Sequence, residues 1–446
     1  MELPREIICR IFIFMPNWIN HISLIYYLIS NNCMYSMLKI LPERQIHNLF
    51  QNLGEIGNEV LCRILMKDVI KIMRQRRFFS KSIFFSRFII GAAKGGHEHL
   101  CILGKEWNDK YNKNGMGLNL SQVFYNAAKN EHINICYYLK EINKGRKILD
   151  KKYNIDCMLR GAARGGHEHL CCLAKEWGAT DFDFMLYEAT EGDHEHLCRL
   201  AREWGATDFN EMLKIATQRE HEYFCRLAKE WGAEKFNKML KIAAEKGNER
   251  LCYLAKEWGA TDFDGMLLQA AEKGHEQICR LAKEWGATKF NEMLWRAAEN
   301  GYEHICLLAK SWGEMIHICE GFNCRYKYQY CQNHSYCFNY MLIRAAEGGH
   351  EHLCRFAKEW GATDFNNMIY WAAKRGNIDL CYLAKEWGAT DFNKMLEGAS
   401  EIGHEYLCYL AKEWGANNFN KMLYIAALNN HIHLCILAKK WGAKYY

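Results

Sequence analysis

The sequence predicts an all-α fold, an α-solenoid of about thirteen short helix-turn-helix copies. Marker cysteines recur every 27 residues, at Cys171, Cys198, Cys225, Cys252, Cys279 and Cys306, and again at Cys354, Cys381, Cys408 and Cys435. A fixed period of roughly 20 to 50 residues is typical of stacked repeats. Each copy carries two apolar patterns with helical spacing. All three prolines of the chain lie before residue 43, so none interrupts these copies.

The copy over residues 207–233 shows the first helix of each pair. Four apolar residues at positions i, i+3, i+4 and i+7 form one stripe, namely Phe209, Met212, Leu213 and Ala216. Asp208 is placed to cap the start of this helix. Glu211, three residues later, is the reciprocal half of a capping box. We therefore expect a short amphipathic helix that begins near Phe209.

The second helix is clearest in the following copy. Its apolar face carries Leu251, Leu254, Ala255 and Trp258, and Gly259 stands where the helix ends. In the preceding copy, charged residues such as Arg226 and Glu230 occupy the opposite face of the second helix and predict a solvated surface. Helices of two to three turns bury too little surface alone, so we expect stability to come from stacking.

These copies resemble the ankyrin repeat, in which a first helix leads to Ala-Ala, a Gly-His turn and a second helix that ends in Gly-Ala. The matching residues in one copy are Gly166, His167, Leu170, Leu173, Gly178 and Ala179. The Trp-rich sequence pattern of the copies is similar to that of ankyrin-repeat proteins of Marseillevirus-like giant DNA viruses. The resemblance covers about four fifths of the chain. It implies an interaction protein and a structural histidine that ties adjoining turns.

The copies depart from that family in two ways. They lack the Thr-Pro-Leu-His motif, and their 27-residue period is shorter than the family's period of about 33. The missing residues would form most of the β-hairpin finger. We therefore expect helical pairs joined by a short Thr-Asp-Phe loop, without binding at fingertips.

The N-terminal residues form a separate segment in composition. We predict a helical domain at 1–45 and the repeat array at 46–446, with insertions near 67–87, 108–120, 140–152 and 314–336. The first segment resembles an F-box. The residues that carry this resemblance, and that would contact the partner, are Leu3, Pro4, Glu6, Ile7 and Ile11, followed by Phe12. The tryptophan that usually ends the motif is missing.

An F-box implies docking onto the Skp-type subunit of a cullin ubiquitin ligase. The alternative is a helical cap that shields the first copy, as the terminal units of repeat arrays must. The two interpretations are compatible with each other.

The basic charge of the chain is local. Residues 67–87 contain seven Lys or Arg against one Asp, and residues 140–152 contain six against two acidic residues. The first insertion interleaves Phe78, Phe79, Phe84 and Phe85 with Arg76, Arg77, Lys81 and Arg87. Such a patch could hold nucleic acid, but we favour a solvated loop whose phenylalanines pack into the array. We do not expect a nucleic-acid partner.

The insertion at 314–336 suggests a possible metal site. Its thiol and imidazole residues are Cys319, Cys324, Cys331, His334 and Cys337, the last at its edge. Soft sulfur and nitrogen ligands suit tetrahedral zinc, although the spacing matches no common finger. The favoured alternative is a Tyr-rich insertion that packs on itself. We expect no other cofactor.

Comparison of the copies with one another predicts a binding surface. The framework is nearly constant, while positions on the first helix vary and collect aromatic and arginine residues. We call this predicted set the inner surface: Tyr187, Trp295, Arg296, Arg344, Tyr370, Trp371 and Tyr424. We expect these side chains to be free of packing contacts and to hold a target protein, because exposed Trp, Tyr and Arg dominate interfaces.

Catalysis is not expected, because the chain has no phosphate-binding glycine loop, HExxH motif or nucleophile elbow. Thirteen of the 21 cysteines lie in the repeat register and predict buried thiols. This usage favours a reducing compartment, the cytoplasm or nucleus. No apolar run reaches about 18 residues, so we expect neither a spanning helix nor a membrane partner. We predict a monomeric adaptor that joins a target to a ubiquitin ligase, or a plain scaffold.

Overall fold

The computed structural model of the chain describes residues 34–76, 80–112, 118–145, 147–313 and 335–444, in which every regular element is an α-helix. The helices belong to two units, Met1–Ala233 and Glu234–Tyr446. Within the described ranges, no helix has both the length and the hydropathy needed to cross a bilayer.

In the described part of the first unit, one short helix precedes six helical pairs. The bounds are α1 Met34–Ile40, α2 Glu43–Ile56, α3 Glu59–Gln75, α4 Lys81–Gly95, α5 Glu98–Tyr111, α6 Leu120–Lys129, α7 Ile133–Asn143, α8 Ile148–Gly165, α9 Glu168–Glu176, α10 Phe182–Glu191, α11 Glu195–Glu203, α12 Phe209–Gln218 and α13 Glu222–Glu230. The even-numbered helices are the first helices of the pairs.

The second unit contains seven pairs in its described residues. The bounds are α14 Phe236–Lys246, α15 Glu249–Glu257, α16 Phe263–Lys273, α17 Glu276–Glu284, α18 Phe290–Asn300, α19 Glu303–Gly313, α20 Ser335–Gly348, α21 Glu351–Glu359, α22 Phe365–Arg375, α23 Ile378–Glu386, α24 Phe392–Ile402, α25 Glu405–Glu413, α26 Phe419–Leu428 and α27 Ile432–Lys440. The predicted all-α fold of about thirteen tandem helical pairs is confirmed.

Within each unit, successive first helices pack against one another, and each contacts the second helix of its own pair. The predicted stripes form the core. Met212, Leu213 and Ala216 are at most 1% exposed, and the marker thiol of Cys225 is fully buried. Phe209 is half-buried and instead meets the ring of Trp231 edge-on at 5.6 Å.

The predicted N-cap of the first helix is confirmed, but its capping box is wrong. Asp208 Oδ1 accepts a hydrogen bond from the Glu211 backbone N–H at 3.1 Å. The backbone N–H of Asp208 does not meet Glu211; it donates to Asp183 Oδ1 at 3.0 Å. The Glu211 carboxylate pairs with Lys214 in the same helix. The backbone N–H just before the first helix therefore donates to a side chain of the preceding copy.

This acceptor recurs in the first helices, directly after the Phe of each copy or after Ile155 in α8. Asp183 Oδ1 accepts from the backbone N–H groups of Thr207 and Asp208, at 2.7 and 3.0 Å. Equivalent pairs of bonds are accepted by Asp156, Asp264, Asn237, Asn339, Asn366 and Asn393. We call these residues the inter-copy acceptors. Each of them, on one first helix, bonds the loop that precedes the next first helix. This loop is short, as predicted.

The histidine of the Gly-His turn also links copies. His194 Nε2 donates to the backbone carbonyl of Arg164, at 3.2 Å, and His275 Nε2 donates to that of Glu245 at 3.0 Å. The residue before the turn histidine is left-handed: Gly166 has φ 84°, and a Cβ there would lie 2.6 Å from the His194 ring, whereas Asp193 and Glu220 take the same conformation at φ 64° and 61° in their copies. The predicted structural role of the repeated histidine is confirmed.

The tryptophan near the end of most second helices forms a third link. Lys175 places its ammonium 4.2 Å from the ring centroid of Trp204 in the next copy. The same contact, at 4.2 to 4.6 Å, joins Lys140 to Trp177, Lys256 to Trp285, Lys283 to Trp312, Lys310 to Trp360, Lys358 to Trp387, Lys385 to Trp414 and Lys412 to Trp441. A cation over an aromatic face is attractive, so these pairs add to the stacking.

Candidate protein-binding surface

The inner-surface residues lie on first helices, as predicted. Tyr187 is on α10, Trp295 and Arg296 are on α18, Arg344 is on α20, Tyr370 and Trp371 are on α22, and Tyr424 is on α26. Tyr424 is 64% exposed, and the other six side chains are half-buried. Five of them therefore occupy three consecutive first helices of the second unit.

Trp295 and Arg344 are brought together by a tyrosine between them. The ring centroids of Trp295 and Tyr340 are 4.4 Å apart, and Trp295 Nε1 donates to the Cys337 carbonyl at 3.2 Å. Arg344 donates to the Tyr340 hydroxyl at 3.2 Å, and its guanidinium lies 5.2 Å from that ring. Carboxylates of Glu299 and Glu347 also flank Arg344, at 3.4 and 2.7 Å. On α18, Arg296 pairs with Glu272 of the preceding first helix.

The next first helix carries a second aromatic group. The rings of Tyr370 and Trp371 meet edge-on at 5.3 Å, with the Lys374 ammonium 5.0 Å from the Trp371 centroid. Tyr370 donates its hydroxyl to Glu401 on α24 at 2.6 Å, and Lys374 pairs with the same carboxylate at 2.7 Å. Burial raises the pKa of Tyr370, and the Glu401 carboxylate raises it further. Tyr370 therefore stays a hydrogen-bond donor.

The first unit contributes Tyr187, whose hydroxyl donates to Asp208 Oδ2 at 2.7 Å. Burial raises the pKa of Tyr187 above its usual value, and Asp208 adds to that shift. The prediction that inner-surface side chains are free of packing contacts is thus wrong for six of the seven: Tyr187, Trp295, Arg296, Arg344, Tyr370 and Trp371. Tyr187, Arg296 and Tyr370 each have a partner in an adjacent copy, so neighbouring first helices are close enough for long side chains to bridge them.

One variable position of the first helix also controls how closely neighbouring first helices approach. It carries Arg296, Arg344 or Trp371 in some copies and glycine in others. A Cβ at Gly161 would lie 2.1 Å from the Tyr125 carbonyl oxygen, and one at Gly398 would lie 2.3 Å from that of Tyr370. Backbones meet directly where this residue is glycine, which a larger side chain forbids. Variation here therefore alters local helix spacing as well as surface chemistry.

Most of the predicted zinc ligands, and all the F-box-like contacts, fall outside the described residues. Cys319, Cys324, Cys331 and His334 are among them, as are Leu3, Pro4, Glu6, Ile7 and Ile11. Cys337 lies on α20 and is half-buried. Over the ranges that the structure does describe, no group of three or more His, Cys, Asp or Glu could hold a metal ion. Zinc and the F-box stay predictions.

The first basic insertion is largely helical. Its phenylalanines Phe84 and Phe85 are fully buried on α4, so neither can stack on a base. Arg76 donates to the backbone carbonyls of Lys39 and Leu41, at 2.8 and 2.9 Å, at the C-terminal end of α1. Arg87 contacts Asn48 and Gln51 side-chain oxygens. The described part of this insertion therefore packs into the array, which agrees with the favoured alternative except that helices replace a loop.

The inter-copy acceptors are functional residues that the sequence patterns above do not predict. The recurrence of Asn or Asp directly after the Phe of each Thr-Asp-Phe segment was the available signal. Only the fold shows that its partners are two N–H groups located 24 and 25 residues later. A constant polar residue beside a constant apolar stripe indicates a bond that every copy repeats.

Comparisons with known proteins leave the family open. No protein-family model matches the chain, and no curated protein matches it. One solved structure, described as a circular tandem repeat protein with novel repeat topology and enhanced subunit contact surfaces, is 18% identical over 93% of each chain, with a TM-score of 0.14. So low a score carries no argument about shape or function. The resemblances to ankyrin repeats and to the F-box therefore remain predictions from the sequence.

Proposed function

We propose that this chain is a non-enzymatic scaffold whose inner surface holds a target protein. The tandem helical pairs support this function, because stacked repeats present extended surfaces built from the same position of each copy. The proposed contact residues are Trp295, Arg296, Arg344, Tyr370 and Trp371, with Tyr187 and Tyr424 on other helices.

The observation that carries the proposal is the pair of aromatic groups on α18, α20 and α22. These large side chains are half-exposed, yet Trp295 and Tyr370 are held by contacts with adjacent copies, and Trp371 packs against Tyr370 in its own helix. A side chain that is already ordered loses little rotamer freedom when a partner binds. Trp, Tyr and Arg are also the residues that most often dominate interface energy. Their bonds to neighbouring copies thus favour binding rather than exclude it.

Capture from a eukaryotic cell extract tests this surface. The full chain is immobilised beside a Trp295→Ala, Tyr370→Ala, Trp371→Ala variant and a control that carries Tyr223→Ala and Tyr406→Ala. The control tyrosines are 51% and 53% exposed but lie on second helices. Because each hot-spot truncation costs about 2 kcal/mol or more, we expect the first variant to lose specific proteins that wild type and control retain. Equal capture by all three proteins would overturn this assignment.

A finer proposal links the scaffold to ubiquitin transfer. It rests on the resemblance of the N-terminal segment to an F-box, and the partner would be the Skp-type subunit of a cullin ligase. The alternative is a plain interaction scaffold with an N-terminal cap. We expect wild type to capture the Skp-type subunit and cullin, and a Leu3→Ala, Pro4→Ala, Ile7→Ala variant to lose both. A folded wild type that captures neither contradicts the ligase link and leaves the scaffold proposal standing.

A further inference from the structure

The start of α8 differs from that of every regular first helix. By repeat register, Ile155 stands where Phe182 begins α10, so residues 148–154 add about two turns before the usual start. Ile148 and Leu149 on this extension are each 82% exposed, more than any other large apolar side chain in the described ranges. Tyr153 is 59% exposed. Aliphatic side chains this bare lie on a projecting point, not in a groove.

Lysines surround this point. Residues 140–152 contain six basic and two acidic residues in sequence. Lys144 pairs with Glu141 at 2.6 Å, whereas Lys147, Lys151 and Lys152 have no ion pair with any described residue. We call residues 147–153 the tip. The tip therefore combines apolar side chains with uncompensated positive charge.

Two buried hydrogen bonds hold the tip in place. Asn154 Nδ2 donates to Asn143 Oδ1 at 2.9 Å, and Asn143 Nδ2 donates to the Lys151 carbonyl at 3.2 Å. Asn143 and Asn154 are 4% and 6% exposed. Such bonds are strong where water is excluded, so they hold the extension of α8 against the end of α7. Ile148 and Leu149 are presented by an ordered element.

We propose that this tip docks onto an anionic lipid surface. Apolar side chains flanked by lysines enter the headgroup boundary of a bilayer, and the lysines are attracted to acidic lipids. A bilayer accepts a projecting point, whereas an acidic protein partner would need a groove shaped to receive it. The inference is independent of the target-binding function, since α8 carries none of the inner-surface residues. It concerns binding at a surface, not a membrane-spanning segment, and it departs from the expectation from the sequence that no membrane is a partner.

Vesicle co-sedimentation of the full chain tests the proposal. Phosphatidylcholine vesicles are compared with vesicles that also contain phosphatidylserine. We expect binding only with phosphatidylserine, weakened by added salt. Ile148→Ser with Leu149→Ser should reduce the affinity at least about tenfold, because two inserted aliphatic side chains are lost. Charge reversal by Lys147→Glu, Lys151→Glu and Lys152→Glu should abolish binding.

The control variant carries Ile432→Ser and Ile436→Ser, two aliphatic side chains that are 72% and 65% exposed on α27. It should bind like wild type. Unchanged circular dichroism and thermal midpoints show that each variant is folded. Failure of wild type to bind phosphatidylserine vesicles overturns the proposal, as does equal loss in the control. A polyglutamate peptide that binds the tip when vesicles do not would identify an acidic polypeptide as the occupant and also overturn it.

Discussion

At the scale of single residues, the marker cysteines couple stability to pH. Twelve of the thirteen register thiols in the described ranges are buried, and Cys435 is half-buried. Burial raises the pKa of Cys252 and Cys279 from 9.0 to about 12, because a thiolate is poorly solvated in the core. The folded state therefore keeps protons that the unfolded chain releases above pH 9.

This difference predicts alkaline sensitivity. The contribution of each thiol is complete below pH 9 and is lost as pH rises toward 12, by about 1.4 kcal/mol per pH unit. A Cys252→Ala, Cys279→Ala variant should lose less stability than wild type between pH 9 and pH 10. Urea unfolding followed by circular dichroism at pH 7, 9 and 10 measures this slope. Identical slopes for the two proteins would contradict the assigned role of burial.

At the scale of elements, glycine sets the distance between two first helices. A Cβ at Gly398 would lie 2.3 Å from the Tyr370 carbonyl oxygen and 3.0 Å from the Lys374 backbone nitrogen. Gly398→Ala must separate α22 from α24, so we expect a loss of about 1 to 3 kcal/mol. This loss would oppose the usual gain when alanine replaces a helical glycine.

Gln269 occupies the same register position on α16 and supplies the matched control. Its half-exposed side chain leaves no cavity when shortened, so Gln269→Ala should change stability by no more than about 0.5 kcal/mol. Chemical denaturation of both variants measures the contrast. A Gly398→Ala protein as stable as wild type would show that helix contact tolerates a methyl group there.

The sequence predicted the helical pairs because each pattern recurs in copy after copy. It also predicted the thiol core, the Gly-His link and the short loop. It could not predict the inner-surface contacts that join one copy to another, such as the hydrogen bond from Tyr370 to Glu401. The sequence predicts a loop for the first basic insertion because that segment has no second copy for comparison, whereas Phe84 is fully buried there.

At the scale of the whole molecule, identical links between copies predict that one copy is dispensable for folding. Deletion of residues 261–287 removes 27 residues and joins Ala260 to Thr288. Asn237, which now accepts from Thr261 and Asp262, would then meet Thr288 and Lys289. We expect a folded protein with proportionally less helix, measured by circular dichroism and thermal unfolding.

Deletion of residues 261–274 is the out-of-register control, because it removes α16 and leaves two second helices in succession. This variant should lose the acceptor bonds of Asn237 and expose the apolar faces of α15 and α17. Exposed apolar faces favour aggregation, which size-exclusion chromatography detects. Equal folding of both deletions would contradict the view that register defines the folding unit.

The inter-copy acceptors also have a consequence for inheritance. Because each acceptor meets the same backbone segment in whichever copy follows, misaligned recombination within the gene joins two copies by a bond that already exists elsewhere in the chain. A duplicated or lost copy is therefore compatible with folding in the first individual that carries it. Lineages could lengthen or shorten the array in single steps, while ordinary point mutation alters what each first helix presents.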